Sequence, residues 1–203
     1  MYADSLEGAN YLLNRFPVRE ALVWQEKILP LFLGKQQDNG IVEGWYGDGN
    51  YARTALLVAR YYTQGTLCHP WRPDLRFGAM SDDGGRLALV LTADKNWSGK
   101  LILDQPRHRL NLNLPVNYPR LNEWPEWFTV EADRHYRVKM DGVQSELKTG
   151  AELAQGLVME GRRGKCIVLK FRSIKSSHFC FQACLNELHY EISLRIAIQD
   201  ARM

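Results

Sequence analysis

The sequence predicts an α+β fold in which a helical region precedes an antiparallel β-sandwich. Up to residue 65, apolar residues recur at spacings of three and four, as in helices with one buried face. Between residues 86 and 171, apolar and polar residues alternate in short runs separated by turn signals, as in antiparallel strands. Three regions are therefore expected: helices in 1–67, the β-sandwich in 68–171 and a C-terminal tail of undetermined structure in 172–203.

The composition is that of an ordinary globular chain. Its 203 residues are 45% hydrophobic and 24% charged, so a packed core is expected. The net charge is only +3 and the basic residues are scattered, which excludes the positive stripe of a nucleic-acid-binding protein. The chain has no apolar run of about 18 residues and no secretory signal at its start, so no membrane partner is expected.

The four cysteines predict thiols rather than a metal site. Cys180 and Cys184 lie near His178 and His189, but this spacing matches no standard zinc-binding pattern. We therefore expect no metal and no cofactor. Mostly buried thiols are typical of a reducing compartment, so a cytoplasmic location is expected.

The first predicted helix covers residues 5–16. Asp4 and Glu7 stand three residues apart at its start, which is the spacing of a capping box. Pro17 should end this helix, because proline has no backbone N–H to donate and its ring clashes with the preceding turn.

Two more helices are predicted, at 18–32 and 51–65. Pro30 should kink or shorten the end of the second helix. Gly65 should end the third, because glycine tolerates the left-handed conformation of a helix C-cap.

Period-two alternation predicts the strands. The clearest example is 108-HRLNLNLPV-116, in which leucines and asparagines alternate. The other predicted strands are 75–80, 86–94, 100–106, 127–133, 135–142 and 165–171. In the tail, a terminal helix is expected around residues 181–198.

The joint between the two regions is 69-HPWRPD-74. Its two prolines restrict the backbone, so we expect an ordered strap rather than a flexible linker. Trp71 is then expected to pack between the helices and the β-sandwich. The alternative is that Trp71 only borders the strand at 75–80.

The segment 43-EGWYGDGNYART-54 connects the second and third predicted helices. In the simpler interpretation it is a turn, with Gly47 and Gly49 giving the backbone freedom. Asp48 or Asn50 would then cap a helix that begins near residue 51.

That interpretation leaves the aromatic rings and other charges of the segment unexplained. Trp45 can stack on the apolar face of a sugar, and carboxylates beside it can act as acid or base. Glycosidases use two carboxyl groups, and Glu43 with Asp48 is a candidate pair, as is Asp4 with Glu7.

A polysaccharide lyase would use the same segment differently. It needs a base to take the proton beside a uronate, and a cation or amide to neutralise the carboxylate. Tyr46, Arg53 and Asn10 are the right residue types. In the simpler alternative, Arg53 only pairs with Glu43 across the turn.

A second aromatic cluster occurs at 118-YPRLNEWPEWF-128. Trp124 and Trp127 are candidate sugar-binding rings on a loop that leans toward the helices. The alternative is that these rings cover the edge of the β-sandwich core.

The segments 4-DSLEGANYLLNR-15, 43-EGWYGDGNYARTALLVA-59 and 117-NYPRLNEWPEWFTVEADRHYRV-138 carry a family resemblance. Together they resemble the C-terminal portion of an uncharacterised bacterial family that is similar to α/α-toroid (six-hairpin) carbohydrate-active proteins. The residues Trp-Tyr-Gly-Asp-Gly at 45–49 also resemble turns of toroidal polysaccharide lyases.

The resemblance covers most of the chain and implies a partial α/α-toroid followed by a β-sandwich. A complete toroid has many paired helices, whereas about three precede the β region here, so the chain resembles the end of a longer protein. The residues after 171 leave the family pattern, as a shifted reading frame would. An incomplete toroid exposes an apolar helical face, which predicts self-association.

The main functional hypothesis is a fragment of a carbohydrate-active protein, either glycoside hydrolase or polysaccharide lyase-like, that binds an oligo- or polysaccharide at a rim formed by residues 43–53. The alternative is a β-sandwich module that binds glycans without catalysis or packs against another domain. The catalytic candidates are Glu43, Tyr46, Asp48 and Arg53, and the substrate-binding candidates are Asn10, Trp45, Asn50, Trp124 and Trp127.

Overall fold

A computed structural model describes residues 2–38, 49–82, 84–115, 125–142 and 145–174. Helices come first and antiparallel sheets follow, which confirms the α+β class. The helices are α1 (Tyr2–Leu13), α2 (Arg19–Leu33), α3 (Gly49–Thr63), α4 (Arg107–Leu110) and α5 (Gly150–Gln155). The strands are β1 (Leu67–His69), β2 (Leu75–Ser81), β3 (Arg86–Ala93), β4 (Trp97–Ile102), β5 (His135–Met140), β6 (Ser145–Thr149), β7 (Leu157–Gly161) and β8 (Ile167–Ser173).

The first three helices pack around a small apolar cluster. Helix α1 lies against both α2 and α3. The rings of Phe32 and Tyr51 stack with their centroids 5.4 Å apart, above the fully buried Ala3 and Leu6. Pro30 lies within α2, which ends at Leu33, as expected for a proline near the last turn.

The predicted capping box of α1 is wrong. The helix begins at Tyr2, so Asp4 lies inside its first turn rather than before it. Glu7 is turned toward α3 instead, where it pairs with Arg53. A carboxylate inside the first turn still stabilises α1 through the helix dipole.

The strands form two antiparallel sheets. The three-stranded sheet has the order β1-β4-β7, and the five-stranded sheet has the order β2-β3-β8-β5-β6. Strand β3 lies between β2 and β8, and its leucines meet apolar partners on β8. The register pairs Leu87 with Phe171, Leu89 with Leu169, and Leu91 with Ile167.

Both sheets contribute to one hydrophobic cluster, so they share a core. Trp97 anchors it: the side chain is 3% exposed, and the indole N–H donates to the carbonyl of Pro70 at 2.8 Å. Leucines at every second position of β3 meet this cluster, which is why the period-two pattern predicted the strand correctly. Other fully or almost fully buried members are Leu89, Leu101, Leu153, Met159, Leu169 and Phe171.

Two predicted strands are absent from the structure. Residues 107–110 form the short helix α4, and Leu110 and Leu112 are 53% and 47% exposed, so the leucine–asparagine alternation does not mark a buried face. Between residues 127 and 133, the backbone makes one isolated bridge, from Thr129 to Asp104, instead of a strand.

The predicted role of Trp71 is wrong. Its side chain is 63% exposed, so it does not pack between the helices and the sheets. Trp97 is the buried tryptophan instead and lies in the core shared by the two sheets. Its hydrogen bond to the Pro70 carbonyl holds the segment before β2. Arg72 also ties this segment down, since it bonds Asp74 and the carbonyl of Asn96 at 2.9 Å.

Cys68 lies buried in the shared core, and burial raises the pKa of its thiol from 9.0 to about 12. Since the pKa is higher in the folded state, this thiol contributes stability below pH 9 that is lost as the pH rises toward 12. We expect iodoacetamide at a pH of about 8 to modify the exposed Cys166 well before Cys68. Peptide mass mapping over time would measure both, and equal labelling rates would contradict the burial of Cys68.

Among the described residues, no helix is long and apolar enough to cross a membrane. The predicted helix at 181–198, together with Cys180, Cys184 and their neighbouring histidines, lies outside the described residues.

Candidate functional site

Four of the predicted site residues can be placed in this structure: Asn10, Asn50, Arg53 and Trp127. The others lie outside the described residues, namely Glu43, Trp45, Tyr46, Asp48 and Trp124. Asn50 and Arg53 lie at the start of α3, Trp127 lies where α3 meets the sheets, and Asn10 lies between α1 and α2.

Arg53 lies in the second turn of α3 and is held by α1. Its Nε and Nη2 atoms donate to the Glu7 Oε2 atom at 3.1 and 2.5 Å. The two side chains are 32% and 13% exposed, so the pair lies at the surface with Glu7 on its inner side. The fork of the guanidinium is therefore oriented by a carboxylate that lies 46 residues earlier in the chain.

The ion pair with Arg53 also limits the chemistry available to Glu7. The sequence had suggested Asp4 and Glu7 as an alternative pair of catalytic carboxyl groups. Because Glu7 is bound to a guanidinium, it stabilises the position of Arg53, and Asp4 is left exposed on the same helix. This geometry favours a binding role for Arg53 over an acid–base role for Asp4 and Glu7.

Asn10 lies between helices rather than on an open surface. Its side chain is fully buried, and its Nδ2 atom donates to Gln25 Oε1 at 2.7 Å and to the Leu6 carbonyl at 3.1 Å. These bonds join α1 to α2. Asn10 is therefore a packing residue, and it has no exposed area through which it could contact a glycan.

Asn50 lies in the first turn of α3, half buried. The helix begins at Gly49, so Asn50 is a helical residue rather than its cap. The first turn of α3 contains no acidic residue. Its backbone N–H groups place the positive end of the helix dipole here, whereas the charge of the nearby Arg53 is paired with Glu7.

A second group of residues lies where α3 meets the sheets and centres on Asp104. Its carboxylate accepts from Arg60 of α3 at 2.6 Å and from Arg107 at 2.9 Å. Burial lowers the pKa of the Arg60 guanidinium, while the charge of Asp104 opposes that shift. We call Asp104, Arg60 and Arg107 the joint cluster, since they link the helices to the sheets.

Glu126 extends the joint cluster. It accepts the backbone N–H of His108 at 2.6 Å, and its other oxygen lies 2.6 Å from the His108 Nδ1 atom. Its side chain is only 6% exposed. Glu126 thus satisfies an otherwise open N–H at the start of α4, which explains why a short helix replaces the predicted strand.

Trp127 lies beside this group and packs edge-on against Tyr61, with ring centroids 4.9 Å apart. Burial raises the pKa of Tyr61 to about 12, so the phenol stays neutral at physiological pH. The main-chain N–H of Phe128 also donates to the Gln64 carbonyl at 3.3 Å. Trp127 therefore helps to hold α3 against the segment 125–131, in agreement with the alternative that its ring covers a core edge.

Sequence reasoning missed the joint cluster because its contacts between α3, α4 and residues 125–127 join residues that are far apart in the chain. Arg60 and Asp104 are 44 residues apart, and His108 and Glu126 are 18 apart. The residue types alone matched no triad or metal-binding spacing. The proline-flanked acid at position 126 was the only local signal, and the sequence does not identify its partner.

A cleft of about 410 Å³ opens between the sheets beside their edge strands β6 and β7. Its charges are largely engaged: Lys148 pairs with Glu146 at 3.2 Å, and Glu152 caps α5 together with Thr149. The described lining contains no aromatic ring, so it offers no platform for stacking a sugar. Its apolar floor includes Val138, Leu153 and Leu157.

Comparison of this chain with protein-family models, curated proteins and solved structures finds no match. The start of α3 offers an oriented guanidinium beside a segment rich in aromatic and acidic residues, whereas the joint cluster and Trp127 hold two parts of the fold together.

Proposed function

We propose that this chain is part of a carbohydrate-active protein and that it binds an acidic glycan along residues 43–53. In this proposal the helices are part of an α/α-toroid, and the two sheets that share a core are its β-sandwich. The observation that supports it best is Arg53, which Glu7 orients at 2.5 Å at the surface of α3. A guanidinium held in place at the surface suits the negative charge of a uronate carboxylate.

The start of α3 adds to this proposal. A negatively charged sugar beside Gly49 and Asn50 would lie near the positive end of the helix dipole. Trp45 and Tyr46 precede the helix directly in sequence and supply rings for the apolar faces of the sugar. Glu43 and Asp48 would provide hydroxyl binding or acid–base chemistry.

Arg53→Met tests the role of the guanidinium. We expect the variant to bind a galacturonate trisaccharide at least about tenfold more weakly, since a charged hydrogen bond contributes about 1.5–3 kcal/mol. Binding of neutral maltotriose should change much less. Calorimetric titration would measure both, with thermal melting to show that the variant folds despite the loss of its pair with Glu7.

An equal loss for the charged and neutral sugars would contradict recognition of a carboxylate by Arg53. Arg53→Lys provides the matched control, because it keeps the charge and removes the forked donors. Partial retention of galacturonate affinity in Arg53→Lys is expected.

Turnover separates the two forms of the proposal. A lyase acting on polygalacturonate would create a conjugated alkene that absorbs in the ultraviolet, whereas a hydrolase would release reducing ends without that absorbance. Tyr46→Phe should abolish the lyase reaction, and Glu43→Gln with Asp48→Asn should abolish the hydrolase reaction.

A domain-packing β-sandwich is the second candidate function, and the joint cluster favours it. Asp104 accepts hydrogen bonds from Arg60 on α3 and from Arg107 on α4, and Trp127 packs on Tyr61. These contacts explain the aromatic segment 125–128 without a glycan. In this alternative the sheets position the helices, and the loss of Trp127 would affect stability but not sugar affinity.

A further inference from the structure

The outward face of α2 carries an apolar stripe bordered by opposite charges. Glu20, Val23, Trp24, Lys27 and Leu31 recur at spacings of three and four residues, so they lie on one face of the helix. We call these five residues the α2 stripe.

The α2 stripe is exposed, whereas the other face of the helix is packed. Gln25 and Phe32 are fully buried toward the other helices. In contrast, Val23, Trp24 and Leu31 are 40%, 38% and 53% exposed. A run of large apolar side chains at this exposure is typical of a surface that contacts another protein.

A shallow hollow lies on the same face. It has a volume of about 340 Å³, and it is lined by Val23 and Trp24 together with the charged residues Arg19, Glu20 and Lys27. Within the described residues, neither Glu20 nor Lys27 has an ion-pair partner. The stripe therefore combines exposed apolar surface with two opposite charges that have no ion-pair partner in the part of the chain that the structure describes.

The order of these residues is self-complementary. The midpoint between Glu20 and Lys27 along the helix axis is also the midpoint between Val23 and Trp24. With a rise of 1.5 Å per residue, Glu20 and Lys27 each lie about 5 Å from that midpoint. If a second α2 runs antiparallel across that point, each Glu20 meets a Lys27. Each Val23 then meets a Trp24, so one two-fold axis satisfies both charges and both apolar residues.

We propose that the α2 stripe is a docking surface for a second copy of this chain, paired antiparallel about the point between Val23 and Trp24. The charge pattern selects a second copy, because an unrelated apolar partner would not require opposite charges at symmetric positions. Helix α2 has 15 residues and is therefore only about 22 Å long. The contact is smaller than a standard stable interface, so the dimer is weak and reversible.

Sedimentation equilibrium over protein concentrations up to several hundred micromolar tests this proposal. The unaltered chain should show a monomer–dimer equilibrium. Glu20→Lys and Lys27→Glu each place like charges opposite one another twice in the dimer, so each should raise the dissociation constant by about tenfold or more. The double variant with both changes should restore the dissociation constant, because the swapped charges are again complementary.

Lys35→Glu is the matched control, since it makes the same charge change at an exposed position beyond the end of α2. It should leave the dissociation constant within about twofold of the unaltered chain. A chain that stays monomeric throughout overturns the proposal. Self-association that is unaffected by the single charge reversals, or that the double variant does not restore, also overturns it.

All of these side chains are exposed, so the variants should fold, and circular dichroism melting would confirm this directly. The outcome is independent of glycan binding, because the self-association is measured without a glycan.

Discussion

Asp104→Ala is expected to lower the free energy of unfolding by about 2–4 kcal/mol, because it leaves two partly buried guanidinium groups without their shared carboxylate. The Asp104 side chain is 10% exposed, and it accepts from Arg60 at 2.6 Å and from Arg107 at 2.9 Å. Urea denaturation followed by circular dichroism would measure the change. The same variant should make the connection between α3 and the sheets more accessible to proteases.

Asp94→Ala is the matched control for this prediction. Asp94 also pairs with an arginine, Arg76, but the two side chains are 58% and 48% exposed. Because an exposed ion pair contributes little, its loss should change the free energy of unfolding by about 0.5 kcal/mol or less. Equal effects of the two substitutions would contradict the role of Asp104 as the centre of the joint cluster.

Gly150→Ala is expected to destabilise the protein by about 3 kcal/mol or more, because a Cβ at this position has no room. It would stand 1.9 Å from the carbonyl oxygen of Glu131 and 2.6 Å from its carbonyl carbon, and both are backbone atoms. The start of α5 is also fixed by the Gly150 N–H, which donates to the Arg134 carbonyl at 2.8 Å. The backbone of α5 would have to move away from residues 131–134.

Gly8→Ala gives the opposite expectation with the same chemical change. A Cβ on Gly8 meets nothing within 4 Å, and the residue lies inside α1. Alanine should therefore stabilise the chain by about 0.5–1 kcal/mol through its better helix propensity. Urea midpoints of the two variants should move in opposite directions, and a destabilised Gly8→Ala or a neutral Gly150→Ala would contradict this packing.

The regular elements could be predicted where the sequence pattern is local. Leu87, Leu89 and Leu91 alternate along β3 and face the shared core, so the period alone identified the strand. The third helix follows from the spacing of its buried residues and ends just before Gly65, which has a positive φ of 77°. These features depend on neighbours within a few residues.

Other elements depend on distant partners, and the sequence pattern failed there. The alternation at 108–116 resembles a strand, but Glu126 bonds both the backbone and the ring of His108 and stabilises a helical turn. The short strands β1 and β7 were not predicted, because three to five residues carry too little pattern. Thr149 and Glu152 form a capping box that could have identified α5.

The sequence could predict which residue types belong to the candidate site, but it could not predict their partners or their burial. The sequence identified Arg53 as a cation beside aromatic and acidic residues, but it did not identify Glu7 on α1 as its partner, and the expected partner Glu43 lies outside the described residues. Asn10 has the chemistry of a ligand-binding amide, yet helix packing buries it completely. Burial and pairing arise from the tertiary fold, so the pattern of one segment does not determine them.

Calorimetric titration of the chain with a galacturonate trisaccharide, comparing Trp45→Ala with Trp71→Ala, tests the proposed function most directly. Trp71 is 63% exposed on the β region and lies outside the proposed rim, so it controls for the loss of a surface tryptophan. The proposal predicts saturable binding that Trp45→Ala weakens by about tenfold or more and that Trp71→Ala leaves unchanged. Absence of binding, or an equal loss in both variants, would contradict a glycan site at residues 43–53.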